Sequence, residues 1–282
     1  MTSIASANGI DIAYESFGSP GGRPLLLIMG LGAQLIHWDD RLCAQLAEQG
    51  HHVVRFDNRD AGLSTHLHDA GAPTPGGPAP YLLKDMAEDT AGLMDALGWQ
   101  AAHVMGASMG GMIAQTLAIQ HPDRVLTLTS IMSTPDLGVA PPTEAAREAL
   151  FAKPVSTREE AVKQAVVTSS VIGSPGYELD REHIERLAGQ AYDRCHDPAG
   201  VARQLAAIMA SPDRTEALTR LNVPALVVHG ADDPLIPLSG GQATAAAIPG
   251  AELKVFPGMG HDLPAPVWPD LVEAVSKLTA GQ

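Results

Sequence analysis

The stretch Ala102-His103-Val104-Met105-Gly106-Ala107-Ser108-Met109-Gly110-Gly111-Met112-Ile113 decides the fold. An apolar strand over Ala102–Met105 runs into a tight turn at Ser108, and a helix is expected over Met109–Gln120. A serine hydroxyl is a poor nucleophile unless it is exposed, aimed and paired with a base. A sharp strand-to-helix turn supplies the first two, and Gly106 and Gly110 let the two backbones approach closely. The bare pattern Gly-x-Ser-x-Gly would arise by chance in roughly one chain in seven of this composition, so its placement between strand and helix carries the weight. The helix start also directs free N–H groups toward the serine.

Outward from this turn, strands and helices alternate. Leu25–Ile28 is a continuous apolar run, Asp39–Gln49 a helix stopped by Gly50, and His52–Phe56 a further strand. Tyr81–Leu97 reads as a helix ended by Gly98, and Val125–Ile131 as a strand. This rhythm implies an α/β fold with a doubly wound, mostly parallel sheet. Ile10–Phe17, after Asn8-Gly9, suggests a hairpin at its edge. The rhythm breaks after Pro135. Helical stretches follow at Glu144–Phe151, Arg158–Val171, Arg181–Asp193 and Gly200–Met209, with no convincing strand before Val223–His229. Glu252–Phe256 and a last helix, Val267–Leu278, complete the pattern. The expected organisation is a core domain from residues 1–135 and 220–282, with an inserted helical cap, 136–219, over the sheet's carboxyl edge, where ligands sit in such folds. The alternative is that these helices merely extend the core sideways. Ala70–Pro80, dense in Pro and Gly, reads as a mobile surface loop.

Composition sets the remaining bounds. The 282 residues suit one large domain or a core with a cap, and 45% hydrophobic with 18% charged residues is a globular balance. A formal net charge of −14 argues against nucleic acid and anionic membranes as partners. Cys43 and Cys195 make no disulfide framework. The start of the chain lacks a basic segment followed by an apolar one, and no apolar run is long enough to span a bilayer, so a soluble cytoplasmic protein is expected. Gly30-Leu31-Gly32 follows a strand but lacks the third glycine of a phosphate loop. Neither a cofactor nor a metal is expected.

A nucleophilic serine needs a base, and there are 11 histidines. His261 ends Pro257-Gly258-Met259-Gly260-His261, a Gly-rich loop after the last strand that can reach over the sheet edge. His183 lies on a helix, where a solvated surface group is the bland reading, and His121, before Pro122, ends its helix. His51 and His52 precede a strand at its far end, whereas His37, His66 and His68 stay open as substrate-facing groups. The orienting acid should follow a strand between Ser108 and His261. Asp232 and Asp233, before Pro234, both satisfy this, although Asp-Pro is also common in plain turns. Asp136 is a third candidate on the earlier strand.

Taken together, these segments resemble the α/β-hydrolase superfamily over essentially the whole chain. Four features match in order: the apolar strand with Met29-Gly30-Leu31-Gly32, Asp57-Asn58-Arg59-Asp60-Ala61-Gly62-Leu63-Ser64, the turn at Ser108, and Gly230…Asp233-Pro234…His261. The resemblance implies a serine esterase acting on small-molecule esters through an acyl-enzyme, with Ser108 as nucleophile and His261 as base. It selects Asp233, immediately before the proline, as the acid. It also implies an oxyanion hole made by the N–H groups of Met109 and Leu31, with Gly32 as the neighbouring alternative. Most relatives have His-Gly where this chain has Met29-Gly30, and Arg-Gly where it has Arg59-Asp60. Both variants are similar to those of the aclacinomycin methylesterase subgroup, which act on methyl esters of aromatic polyketides, and they speak for a subgroup rather than a substrate. The lost histidine is a lost anchor for the oxyanion loop. The same residues could serve a lactonase, a perhydrolase, a carbon–carbon hydrolase or an acyltransferase. A non-catalytic small-molecule binder is a further class, against which the intact Ser, Asp and His speak.

Overall fold

The computed structural model describes residues 1–74 and 77–281. Pro75 and Gly76, within the stretch expected to be a mobile loop, lie outside the described residues. In chain order the elements are β1 (Ser3–Ala7), β2 (Ile10–Phe17), β3 (Arg23–Ile28), α1 (Asp40–Glu48), β4 (His51–Phe56), α2 (Leu83–Ala96), β5 (Ala102–Ala107), α3 (Met109–Gln120) and β6 (Val125–Ile131). Helices α4 (Glu144–Leu150), α5 (Arg158–Ile172), α6 (Arg181–Arg194), α7 (Pro198–Ala210) and α8 (Thr215–Leu218) follow. β7 (Ala225–Gly230), α9 (Leu238–Ala247), β8 (Glu252–Phe256) and α10 (Trp268–Thr279) close the chain.

The strands form one sheet in the order β1-β2-β4-β3-β5-β6-β7-β8. β1 and β2 are antiparallel, as the hairpin at Asn8-Gly9 requires, and every pairing from β4 to β8 is parallel. A parallel strand covered on both faces must be apolar throughout. β3 meets this: Leu26 and Ile28 enter the core layer shared with α2 and α3, while Leu25 and Leu27 enter the layer shared with α1 and α10. From β3 the chain steps to β4 on one side and then to β5 on the other. The loops leaving β3 and β5 therefore diverge, and the crevice between them is where α/β sheets bind ligands.

Two departures from the expected elements have physical causes. The helix expected from Tyr81 begins at Leu83, because Leu82 is its N-cap and donates its N–H to Asp85 Oδ2 at 2.8 Å. α9 lies in a stretch assigned no element from the sequence, and glycine pairs such as Gly240-Gly241 weaken a helix. Packing overrides that propensity: a Cβ at Gly241 would stand 2.4 Å from His229 Nδ1, and one at Gly240 3.0 Å from Ala140 Cβ. Gly241 lets α9 lie flush on β7, and Gly240 lets it close on Thr134 and Ala140 in the segment after β6.

His103, in β5 beneath the serine turn, is 1% exposed and bonded through Nδ1 to Thr127 Oγ1 at 3.0 Å. Burial pushes its pKa down to about 4, with His51 and Arg23 adding repulsion. A depressed folded-state pKa means the unfolded chain binds the proton more readily, so stability is lost as pH falls through the unfolded value of about 6.5. Between pH 7 and pH 5 this residue is expected to cost about 2 kcal/mol of folding stability. Urea unfolding at the two pH values, compared with His103→Asn, measures its share; an equal pH dependence in both proteins would remove His103 as the cause.

Candidate active site

Ser108 occupies the turn between β5 and α3 with φ +56° and ψ −120°, a conformation few residues tolerate unless their surroundings impose it. Here they do. Ser108 N–H donates to Ile131 O at 2.9 Å, and its carbonyl accepts from Ser133 Oγ at 2.9 Å and from the Gly111 N–H at 2.9 Å. A Cβ at Gly106 would lie 2.1 Å from Gly110 O, and one at Gly110 would lie 2.0 Å from Ile28 O. Only glycine at both places lets the turn close against β3.

The other two side chains arrive on separate loops. His261 Nε2 stands 2.9 Å from Ser108 Oγ, and His261 Nδ1 stands 2.8 Å from Asp233 Oδ2. Asp233 is buried, and its second oxygen, Oδ1, accepts the N–H groups of Leu235 and Ile236, each at 2.9 Å. The adjacent Asp232 is exposed and turned away. Its Oδ2 accepts the Gly258 N–H at 2.8 Å and so steadies the loop that carries His261. Asp136 serves its own turn, accepting the Gly138 N–H at 3.1 Å. Of the three acids left open by the sequence, the geometry brings Asp233 to the histidine.

The end of α5 and the segment after it hold the histidine loop. His261 N–H donates to Ile172 O at 2.7 Å, Gly260 N–H to Ser174 Oγ at 2.9 Å and Gly176 N–H to Gly258 O at 2.9 Å. Asp262, next to the histidine, has its carboxyl pushed up by burial, and Ser174 Oγ donates to it. Of the other histidines left open, His37 bonds back to Gln34 O, and His66 Nδ1 faces Asp197 Oδ2 at 2.7 Å. His66, His68 and Asp197 bring three groups of metal-ligating type within 4.8 Å of one another. Arg203 stands 3.2 Å from the same carboxylate oxygen.

The loop Met29–Gly32, expected to supply an oxyanion donor, lies against the serine: a Cβ at Gly30 would be 3.2 Å from Ser108 Cβ. Met109 is the first residue of α3, where an N–H has no acceptor inside its helix. Gly32 N–H is taken by Gln204 Oε1 at 2.8 Å, whereas Leu31 N–H has no partner among the described residues. Met29 replaces a histidine without leaving its loop loose, because Asn58 Nδ2 donates to Met29 O at 2.9 Å. The second departure is also accounted for. Asp60 has φ +63°, a conformation natural to glycine, and its carboxylate forms a two-point pair with Arg203 of α7 at 2.7 and 2.9 Å. Tyr81 Oη donates to the same carboxylate at 2.7 Å. Sequence reasoning did not reach Arg203, Gln204 or Arg194, which pairs with the buried Asp57 at 3.0 Å. Their one signal is Arg203-Gln204 standing inside the otherwise apolar run Val201–Ile208.

At the carboxyl edge of β5 the side chains are thus arranged as in serine hydrolases, on a sheet of the α/β kind. The chain belongs to the alpha/beta hydrolase fold family, whose model matches residues 23–172. It is 29% identical to rhodomycin D methylesterase DauP of Streptomyces sp. (strain C5), over 97% of this chain and 96% of that protein. It is 31% identical to the putative carbamate hydrolase RutD of Caulobacter segnis, over 89% of each. Among solved structures, the enol-lactonase from Burkholderia xenovorans LB400 superposes with a TM-score of 0.78 at 24% identity, covering 99% of this chain and 100% of that one, and shows the shared fold. Among the described residues no helix is long and apolar enough to cross a membrane.

Proposed function

We propose that this protein is a carboxylic ester hydrolase that works through an acyl-enzyme on Ser108, with methyl esters of small molecules as its substrate class. The observation that carries the reading is the continuous relay Ser108 Oγ–His261 Nε2 and His261 Nδ1–Asp233 Oδ2, at 2.9 and 2.8 Å, with the N–H groups of Leu31 and Met109 lacking an acceptor among the described residues. The methylesterase relative, aligned over 97% of this chain, supports the substrate class. His261 Nε2 takes the Ser108 proton as Oγ attacks the ester carbonyl. The oxyanion accepts the N–H groups of Leu31 and Met109. The carbon–oxygen bond to the alcohol breaks, and the alcohol leaves with the proton from His261. Water then gives a proton to His261 and attacks the acyl-enzyme, releasing the acid and restoring Ser108.

Residues 136–219 form, in this reading, a cap whose helices cover the sheet's carboxyl edge. The bonds from Ile172, Ser174 and Gln204 to the histidine and oxyanion loops support that role. The free thiols of Cys43 and Cys195 fit a reducing compartment such as the cytoplasm. A fluorophosphonate is expected to add one adduct per chain, at Ser108 by peptide mass spectrometry, and to abolish hydrolysis of p-nitrophenyl acetate and of a small aryl methyl ester in step. Labelling at another residue, or ester turnover that survives full labelling of Ser108, would refute the assignment. Peroxide-dependent halide oxidation or dienoate cleavage exceeding methyl-ester turnover would move the substrate class while leaving Ser108 in place.

A further inference from the structure

We propose that Gln204, on α7, is a positioning residue of the oxyanion hole. This inference rests on the acyl-enzyme reading above. Gln204 is fully buried, and both ends of its amide are engaged: Oε1 accepts the Gly32 N–H at 2.8 Å, and Nε2 donates to Arg59 O at 2.7 Å. Because one partner is a backbone donor and the other a backbone acceptor, the amide has one orientation.

The turn it grips is the one that presents Leu31. Ala33 N–H donates to Gly30 O at 3.2 Å, and Gly32, third of these four residues, has φ +67°. That is the pattern of a type II turn, whose central peptide can flip over toward the type I arrangement. The flipping peptide is Leu31–Gly32, and Gln204 holds its N–H. A Cβ at Gly32 would lie 3.1 Å from Val201 Cγ2, so α7 also packs directly on the turn. One residue earlier, Arg203 pins α7 through its two bonds to Asp60. With the central peptide fixed, Leu31 N–H is kept aimed beside Ser108, and Gly32 N–H is kept from competing for the oxyanion. Gln204 thus does for this loop, from the inserted helices, what an anchoring side chain at position 29 would otherwise do.

The test uses Gln204→Met, which removes both hydrogen bonds with little change in volume, and Gln204→Glu, which keeps an acceptor for Gly32. Removing a direct oxyanion donor costs about 10²- to 10³-fold in kcat, so losing its anchor is expected to lower kcat by ~10- to 100-fold with KM changed less than about threefold. The decisive readout is the ratio of two inhibition constants, each taken on active sites counted with the fluorophosphonate. One is for a trifluoromethyl ketone, which forms a tetrahedral oxyanion adduct; the other is for the planar product acid. In Gln204→Met the ketone is expected to weaken in step with kcat while the acid holds. In Gln204→Glu the ratio is expected to stay within about threefold of wild type even where the protein melts earlier. A wild-type ratio in Gln204→Met, or an equal collapse in Gln204→Glu, overturns the proposal. Absence of fluorophosphonate labelling at Ser108 in the unaltered protein would instead sink the underlying reading, so the two failures are distinct.

Discussion

Ser108→Ala is expected to fold like the parent and to lose roughly two to six orders of magnitude in kcat on p-nitrophenyl acetate, the range spanned by removal of a triad nucleophile. Folding should survive because the turn is held by backbone. The bonds to Ile131 O, Ser133 Oγ and Gly111 N–H do not involve the hydroxyl, and alanine meets the same strain at φ +56° as serine does. What disappears is the proposed nucleophile. The N–H groups of Leu31 and Met109 remain, and His261 can still activate a water, so the residual rate should exceed that of the uncatalysed reaction. Thermal melting establishes that the variant is folded, and single-turnover kinetics then measure the chemistry alone. A folded Ser108→Ala protein within tenfold of the parent would place the nucleophile elsewhere.

The serine turn was legible in sequence because its chemistry is local. Two glycines, an apolar strand and a helix start all lie within some twenty residues, and each demands the others sterically. The sheet was legible for the same reason: runs such as Leu25–Ile28 state their burial on both faces. The candidate acid was only half legible. Asp232 and Asp233 are chemically identical neighbours, and what separates them is the direction each side chain takes, one to Gly258 N–H and one to His261. That direction is set by the fold around them, so composition and spacing left both open until the resemblance to relatives chose between them.

The helical segment 136–219 was legible as helices and illegible as part of the site. Arg203 and Gln204 meet Asp60 and Gly32, partners more than 140 residues earlier in the chain. Polar residues on an amphipathic helix are ordinarily solvated, and the apolar run around these two hints at burial without saying what they meet. The departure at Asp60 carried half of the message. An aspartate in a position natural to glycine needs a compensating contact, and the missing half was which arginine provides it. α9 was missed altogether: its glycines carry no helical signal, and the close approach of Gly241 to His229 is visible only in the fold.

Asp233→Asn is expected to lower kcat by about 10⁴-fold, the loss known for an amide in the orienting position of such a triad, whereas Asp232→Asn and Asp136→Asn should stay within about threefold of the parent. The size follows from how the amide must sit. Asp233 Oδ1 accepts two backbone N–H groups, from Leu235 and Ile236, so the amide oxygen of an asparagine is held at that end. Its NH2 is then forced toward His261 Nδ1, which has to accept, and the ring proton moves to Nε2. That proton points at Ser108 Oγ, where the mechanism requires a free lone pair. His229 cannot stand in for the lost charge balance. It lies 3.7 Å from Asp233 Oδ2, but burial lowers its pKa, and its Nε2 is bonded to Ile236 O at 2.7 Å. Asp232 and Asp136 each accept a single glycine N–H, which an asparagine oxygen also does. The check has two parts: kcat for the three variants on one ester, and the nitrogen chemical shifts of the His261 ring, which report the tautomer directly. A crippled Asp232→Asn would shift the acid by one residue, and an Asp233→Asn protein that keeps its Nδ1 proton yet loses activity would show that tautomer control is not how Asp233 acts.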